Sequence, residues 1–341
     1  MTKTKQAWVL RSHPSGIPSE NAWRMEEQPL PELVDGEVLA RAVYLSVDPY
    51  MRGRISAKAN YAAGVGIGDV MHGGGVGEIL ESRHPDWNPG NHFETMGFGW
   101  QDHAVLAGNG LTLVDASKAP LHAYLSYLGM PGRTAWLALQ DIGKVKPGET
   151  VVISAASGAV GQVAGQIVKA AGGRAVAITS SDEKLKWCRK LGYDAGVNHT
   201  TASDLGPALS EACPDGVDVF FDNTAGPVHD AVMMRLNVGA RIIICGTISL
   251  ASKFDELDMG ERFLRQILVA RATMQGFLNF DHVDRFGEAD TALIDLEQKG
   301  QLKFKTDVEE GLGTMPSAFI SLLTGKNFGK KVVRVGPDSL V

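Results

Sequence analysis

Cysteine is scarce in this sequence: 341 residues contain three, Cys188, Cys213 and Cys245. They are scattered through the second half of the chain, without the close, even spacing of a disulfide-rich domain or the paired spacing of a zinc ribbon. No cysteine precedes Cys188. The scarcity therefore excludes a disulfide framework and argues against a structural zinc site, which takes four ligands.

Long apolar runs and blocks of like charge are also missing. No stretch reaches the roughly 20 consecutive apolar residues of a transmembrane helix, and the N-terminal MTKTKQAWVLRSHPSG lacks the apolar centre of a signal peptide. The net charge is −6, and no cluster of Lys and Arg stands out, which argues against nucleic acid or an anionic membrane as partner. A reducing cytoplasm is the expected location.

Glycine, by contrast, is plentiful, with 40 residues, and indicates many tight turns. The length of the chain favours two domains. Short strands dominate the first third, whereas strands alternate with helices from about residue 126, which predicts an α/β fold with a parallel sheet covered on both faces. We predict a β-rich domain at 1–125, rejoined by the C-terminal segment 298–341, and an α/β domain at 126–297.

The segment VVISAASGAVGQVAGQIVKAAGG (151–173) runs from a buried strand through a glycine turn into a helix. Gly158 and Gly161 would leave bare N–H groups at a helix N-terminus, where the dipole favours a phosphate, and Gly165 would let the helix lie close to the strand. Ala155 stands where the first glycine of the usual motif would be. Because strand, turn, helix and second strand follow in order, a dinucleotide site is favoured over an ordinary strand–helix turn.

The end of the second strand distinguishes NAD(H) from NADP(H). NAD enzymes carry Asp or Glu there for the ribose 2′-hydroxyl, but this strand ends in Thr179, Ser180 and Ser181. Lys184 follows one helical turn later, and hydroxyls with a lysine suit a 2′-phosphate. Asp182 fits better as a helix N-cap or first-turn residue, and Lys184 could instead be a solvated surface lysine. The predicted cofactor is NADP(H).

Motifs along nearly the whole chain carry a family resemblance. They are LSVDPYMRGR (45–54), GMPGRTAW (129–136), AASGAVGQVAGQIVK (155–169), DEKLKWCRKLGYD (182–194), FFDNTAG (220–226), RIIICGTIS (241–249), MQGF (274–277) and GKNFGKKVV (325–333). With them the sequence resembles the zinc-free medium-chain dehydrogenase/reductases, and among these the leukotriene B4 dehydrogenase, prostaglandin reductase and alkenal double-bond reductase group, especially its curcumin-reductase-like bacterial members. The resemblance implies a doubly wound Rossmann domain, a β-rich GroES-like domain and a homodimer.

The resemblance also implies which positions contact the cofactor. Its pyrophosphate would lie on Gly158, Ala159, Val160 and Gly161, and its 2′-phosphate on Lys184 beside Ser181. His199 stands where many relatives have a cofactor-contacting tyrosine. The remaining cofactor positions are Asn223, Cys245, Gly246, Phe277, Leu278 and, on the nicotinamide side from the returning C-terminal segment, Asn327. Cys245 is also compatible with a buried core thiol.

Zinc-dependent relatives use an early cysteine, a His-Glu pair and a lobe with four cysteines. The corresponding stretch VMHGGGVGEI (70–79) has a lone His72 without an acidic neighbour, so ligands for a catalytic or structural zinc are lacking. We interpret His72 as a pocket or structural histidine and expect no metal. Reduction of an activated C=C bond needs no Lewis acid, because hydrogen-bond donors and a proton suffice for the enolate.

Tyr50 in DPYMRGR is the candidate catalytic residue, as a donor to that enolate. Some plant relatives carry a donor tyrosine where this chain has Val269. The cofactor ribose hydroxyl or an ordered water could serve instead, and Tyr50 could be a packing residue. The neighbouring Arg52 and Arg54 are expected to tie the loop down or to bridge the domains.

Three functions stay open at this point. The first is NADPH-dependent reduction of the C=C bond of α,β-unsaturated ketones or aldehydes, which the zinc-free pattern and the DPYMRGR loop favour. The second is an NADPH quinone oxidoreductase on the same fold, which that loop disfavours. The third is an NADPH-binding protein without turnover, because the glycine turn argues for binding alone.

Overall fold

The computed structural model describes residues 4–58 and 62–338, which belong to two compact units. The first unit combines Met1–Leu125, Ala251–Glu256 and Thr306–Val341, and the second combines Ser126–Leu250 and Leu257–Lys305. The sequence pattern places the return to the first domain at residue 298 and does not anticipate the short excursion at 251–256. Among the described residues, no helix combines the length and apolar character needed to cross a membrane.

Strands predominate up to residue 125, and strands alternate with helices beyond it. The strands are β1 (Thr4–Leu10), β2 (Trp23–Pro29), β3 (Glu37–Ser46), β4 (Gly75–Ser82), β5 (His92–Thr95), β6 (His103–Ala107), β7 (Thr112–Val114), β8 (Thr150–Ser154), β9 (Arg174–Thr179), β10 (Ala195–Asn198), β11 (Val217–Asp222), β12 (Leu236–Ile244), β13 (Thr273–Gly276), β14 (Thr306–Glu310) and β15 (Lys330–Arg334). The helices are α1 (Met51–Arg54), α2 (Met130–Ala138), α3 (Gly161–Ala170), α4 (Asp182–Lys190), α5 (Leu205–Ala212), α6 (Gly226–Met233), α7 (Leu264–Ala270), α8 (Phe286–Gln298) and α9 (Met315–Leu323).

The first unit is built on a mixed sheet with strand order β14-β15-β3-β4-β5-β7, to which β6 adds by pairing with β3. β14 and β15 are parallel, whereas the other pairs are antiparallel. β1 and β2 form a separate antiparallel pair. The core includes Trp23, Trp100 and Phe319, whose ring centroids lie 5.3 to 6.0 Å apart. β3 is almost wholly buried because it lies inside the sheet.

The second unit contains a six-stranded parallel sheet with order β10-β9-β8-β11-β12-β13. Counted along this unit, the order is the 3-2-1-4-5-6 of a doubly wound Rossmann fold. The predicted fold class is therefore confirmed. All residues of β8 are buried, as expected for the centre of a covered parallel sheet. The strand order reverses between β8 and β11, and ligands of such sheets bind beyond the carboxyl ends at that point.

Candidate functional site

The turn between β8 and α3 contains the residues predicted to bind the pyrophosphate. Ala155 has a left-handed φ of 48°, a conformation that glycine adopts without strain. A Cβ on Gly161 would lie 2.5 Å from the Ala155 carbonyl oxygen, so this position requires glycine. Among the described residues, no acceptor receives the N–H groups of Ala159 and Val160. These bare donors directly precede the first residue of α3, where the helix dipole favours an anion.

Gly165 serves a different close approach from the predicted one. A Cβ there would overlap the ring of Tyr193, whose hydroxyl donates to the Gly161 carbonyl oxygen at 2.7 Å. Gly165 therefore makes room for the ring of Tyr193, whereas the sequence pattern predicted that it would make room for the strand. A buried tyrosine 28 positions further along takes the space, and nothing in the local spacing indicates it.

The end of β9 brings the predicted 2′-phosphate residues together. Ser181 is the N-cap of α4, and its Oγ accepts from the Lys184 N–H at 3.2 Å. Lys184 Nζ donates to Ser180 Oγ at 3.1 Å. Asp182 is a first-turn residue, one of its two predicted roles, and accepts from Asn198 Nδ2 at 2.9 Å. An ammonium group and a serine hydroxyl thus meet at this strand end.

His199 lies beside the same cluster. Its N–H donates to the Thr179 carbonyl oxygen at 3.0 Å, which places it just beyond the end of β10. Partial burial, and then the charge of Lys184, lower the pKa of His199. The ring is therefore a neutral neighbour of the lysine at neutral pH.

Asn223, Cys245 and Gly246 meet at the carboxyl ends of β11 and β12. Asn223 donates through its backbone N–H to Ser154 Oγ and through Nδ2 to the Ser154 carbonyl oxygen, both at 2.8 Å. The N–H groups of Cys245 and Gly246 donate to the Asp222 carbonyl oxygen at 2.8 and 3.1 Å. Burial, with a further contribution from Asp222, raises the pKa of Cys245 to about 12, so its thiol stays protonated.

Asp222 and Ser154 were not identified from the sequence as residues of this site. Asp222 is fully buried, and its carboxylate accepts from Ser154 Oγ at 2.9 Å and lies 2.8 Å from His229 Nδ1. The available signal was an aspartate that closes the apolar strand VDVFFD, because a carboxylate in such a position must find donors.

Phe277 and Leu278 follow β13 and differ in exposure. Phe277 is buried, and its ring stacks on His282 with centroids 4.9 Å apart and an interplanar angle of 9°. Its N–H donates to the Ile244 carbonyl oxygen at 3.0 Å, which keeps it at the end of β12. Leu278 is exposed.

Tyr50 lies in the first unit, directly before α1, with a half-buried ring. Its ring meets His72 edge-on at 5.9 Å between centroids, and the Arg54 guanidinium lies 5.8 Å from the ring centroid. Burial, and then the charge of Arg54, lower the pKa of His72 to about 4. Arg54 and His72 also line a pocket of about 330 Å³ in this unit.

Arg52 and Arg54 secure the loop that carries Tyr50. Arg52 donates through Nε to the Gly16 carbonyl oxygen and through Nη2 to Asp255, each at 2.9 Å. Arg54 donates to the Ala63 carbonyl oxygen at 2.7 Å. All of these partners belong to the first unit, so the tie-down role is the one that the contacts support.

Asn327 and Val269 are the remaining positions named from the sequence. Asn327 belongs to the first unit, and its Nδ2 donates to the Gly329 carbonyl oxygen at 3.1 Å. Val269 lies on α7 and is 63% exposed. Within residues 4–58 and 62–338, no three His, Cys, Asp or Glu side chains lie close enough together to hold a metal ion.

Comparisons with known proteins cover both units. One family model, described as the N-terminal domain of oxidoreductase, matches residues 6–114, and another, described as zinc-binding dehydrogenase, matches residues 159–293. The NADPH-dependent curcumin reductase of Escherichia coli (strain K12) is 40% identical, covering 97% of this chain and 97% of its own length. Prostaglandin reductase 1 of Mus musculus is 38% identical, covering 96% and 98%. The crystal structure of CurA in complex with NADPH from Vibrio vulnificus has a TM-score of 0.91 at 38% identity, covering 97% and 99%.

Proposed function

Because this chain belongs to the zinc-free, NADP-dependent medium-chain dehydrogenase/reductases of the curcumin reductase and prostaglandin reductase group, we propose that it reduces the C=C bond of α,β-unsaturated ketones and aldehydes. The observation that carries the proposal is the cluster of Tyr50, His72 and Arg54. A phenol, a neutral imidazole and a guanidinium offer hydrogen-bond donors to an enolate oxygen.

The chain is an oxidoreductase, and its cofactor is NADP(H). The residues of the second unit are suited to NADP(H), because bare N–H groups precede α3 and a lysine with hydroxyls stands at the end of β9. When bound, NADPH supplies the hydride. We assign 126–297 as the NADP-binding domain and 1–125 with 298–341 as the substrate and catalytic domain.

The strand order supports an orientation for the cofactor in the second unit. We assign the 2′-phosphate to Ser181 and Lys184 beyond β9, with His199 beside them, and the pyrophosphate to the turn 158–161 beyond β8. The nicotinamide half would then extend to the opposite side of β8, over the ends of β11 and β12. On that side we assign Asn223, Cys245, Gly246, Phe277 and Leu278, and we retain Asn327 as a cofactor contact that the family resemblance implies.

In the proposed reaction, the first unit has to supply only a hydrogen bond or a proton to the enolate. When hydride adds to the β-carbon, the C=C π electrons form a double bond between the α-carbon and the carbonyl carbon, and the C=O π electrons move onto oxygen to give an enolate. A proton added to the α-carbon then restores the carbonyl group. Tyr50 would donate a hydrogen bond to the enolate oxygen or the proton itself. His72, which is neutral at neutral pH, places no second positive charge beside Arg54. A ribose hydroxyl or water is the alternative proton source.

Purified protein with NADPH and a panel of enones and enals tests the proposal. Loss of the absorbance of the reduced cofactor, with a product saturated at the C=C bond by mass spectrometry, is the expected result. A parallel panel of quinones is the control. A preference for quinones in kcat/KM would favour the quinone oxidoreductase, and NADPH binding without turnover on either panel would favour a non-catalytic role.

A homodimer in the cytoplasm completes the proposal. β13 is the last strand of the six-stranded sheet, and all of its residues are exposed. Leu264, Leu268 and Val269 on the adjacent α7 are exposed as well. An open edge beside apolar side chains fits a second copy of the chain.

The proposed cytoplasmic location agrees with the cysteines, because all three are free, as in a reducing compartment. Cell fractionation would test the location.

A further inference from the structure

The carboxylate of Asp222 is the centre of a buried hydrogen-bond network in the second unit. Its Oδ1 accepts from Ser154 Oγ at 2.9 Å, from the Thr224 N–H at 2.9 Å and from the Ala225 N–H at 3.0 Å. Its Oδ2 lies 2.8 Å from Nδ1 of His229 on α6. Asp222 is fully buried, so these donors replace the water that the carboxylate loses.

The same residue joins three neighbouring strand ends. Ser154 is the last residue of β8, and Asp222 is the last residue of β11. The Asp222 carbonyl oxygen accepts the N–H groups of Cys245 and Gly246, which follow β12. Asp222 therefore sets the relative positions of the ends of β8, β11 and β12.

Asn223 is held by this network with one acceptor left over. Both its backbone N–H and its Nδ2 donate to Ser154, which the Asp222 carboxylate orients. No donor among the described residues reaches the Asn223 carboxamide oxygen. That oxygen is available to a ligand group that donates hydrogen bonds, as a carboxamide NH₂ or a ribose hydroxyl does.

The loop after Asn223 is strained, and Asp222 stabilises it. Ala225 has φ 58° and ψ −161°, a region that is essentially restricted to glycine. Such a conformation persists only where its surroundings enforce it, and the hydrogen bond from the Ala225 N–H to Asp222 does so. Without the correct orientation of the carboxylate, the loop 223–226 would relax.

His229 in turn orients the carboxylate. Its side chain is mostly buried, and its ring contacts Phe220 and Phe263 at centroid distances of 5.9 and 5.8 Å. An Nδ1–H donates to Asp222 in the Nδ1 tautomer and in the charged ring alike. The imidazole thus binds Oδ2 of Asp222, whereas Ser154 and the backbone N–H groups donate to Oδ1.

From this geometry we infer that Asp222 and His229 are positioning residues for the nicotinamide half of NADP(H), acting through Asn223 and the strained loop 223–226. The inference rests on the cofactor orientation proposed above. The adenosine half would lie over β9 and β8, on the other side of the strand-order reversal. Loss of the His229 contact should therefore weaken one half of the cofactor's contacts and spare the other.

Binding of two ligands to His229→Leu tests this selectivity. NADPH contains both halves, whereas 2′,5′-ADP has the adenosine and 2′-phosphate without the nicotinamide. Calorimetry should show NADPH binding weakened about tenfold and 2′,5′-ADP binding changed less than about twofold. His229→Gln, whose amide can still donate to Asp222, should recover NADPH binding to within about threefold of the original chain.

Three results would overturn the inference: equal weakening of both ligands, unchanged NADPH binding, or His229→Gln as weak as His229→Leu. His103→Leu is a matched control, since it removes a histidine that lies 3.2 Å from Asp102 in the first unit. No substrate takes part, so a chain that failed to reduce enones would still give a decisive answer.

Discussion

We propose that single side chains at the end of β9 account for the preference for NADP(H) over NAD(H). Lys184 Nζ donates to Ser180 Oγ at 3.1 Å, and the strand β9 itself ends in Thr179 without an acidic residue. Asp182, the first acid after the end of β9, accepts a hydrogen bond from Asn198 Nδ2. A 2′-phosphate would meet an ammonium group there, whereas a 2′-hydroxyl would gain little from it.

Lys184→Ala should weaken NADPH binding about 10- to 100-fold, because a hydrogen bond to a charged group contributes roughly 1.5–3 kcal/mol. NADH binding should change little. Calorimetric titration of both cofactors is the measurement. Lys186→Ala, on the exposed face of the same helix, is the matched control. Equal losses for NADH and NADPH would contradict the 2′-phosphate assignment.

Tyr50→Phe should lower kcat on an enone about 100-fold if the phenol acts as the donor. The KM for NADPH should stay unchanged, because Tyr50 lies in the first unit and no 2′-phosphate or pyrophosphate contact is assigned to it. Steady-state kinetics measure both values. Tyr124→Phe, which removes a surface hydrogen bond to the Asp115 carbonyl oxygen, serves as control. An unchanged kcat would assign the proton to a ribose hydroxyl or water.

Between elements, a buried ion pair joins the loop of Tyr50 to the C-terminal strand. Lys330, the first residue of β15, is 1% exposed, and its Nζ contacts the carboxylate of Asp48. The same Nζ donates to the Val47 carbonyl oxygen at 3.2 Å, and Ser46 donates to Asp48. Burial lowers the pKa of Lys330, and the charge of Asp48 opposes that effect.

Lys330→Met should reduce the free energy of unfolding by about 3–5 kcal/mol, because Asp48 would remain buried without its partner. The double variant Asp48→Asn/Lys330→Met should regain at least half of that loss, since neither charge remains. Urea unfolding followed by circular dichroism measures both. Lys331→Met should cost less, because its partners Asp307 and Glu309 are partly exposed. A double variant as unstable as the single one would show that packing, not charge, matters here.

At the scale of the whole molecule, the open sheet edges differ in chemistry. β14, at one edge of the first unit's sheet, carries Asp307, Glu309 and Glu310, and charged edges resist pairing. β13, at one edge of the parallel sheet, has the uncharged sequence TMQG and is exposed throughout. The homodimer that we propose would use the second edge.

Leu268→Asp on α7 should raise the dimer dissociation constant about 10- to 100-fold, because it places a charge in an apolar contact. Sedimentation velocity over a concentration series measures it. Val308→Asp, on the charged edge strand β14, should leave the assembly unchanged. A dimer that resists the first change and dissociates with the second would place the interface at β14.

Local sequence patterns determined much of this protein. The alternation of apolar strands with helices indicated the parallel sheet, because each element must bury an apolar face within a few residues of chain. The glycine turn at 158–161 and the Ser-Ser-x-x-Lys sequence at the end of β9 could also be located from the sequence, because each consists of residues that are close together along the chain.

The tertiary structure alone decided the contacts between distant segments. Tyr193 behind Gly165, Lys330 against Asp48, and His229 with Ser154 around Asp222 are pairings across 7 to 282 positions. A buried charge or a missing Cβ signals that some partner is needed, but the chain's path through three dimensions selects which residue provides it. The strained Ala225 belongs to this group too, because only its surrounding hydrogen bonds hold an alanine in a glycine conformation.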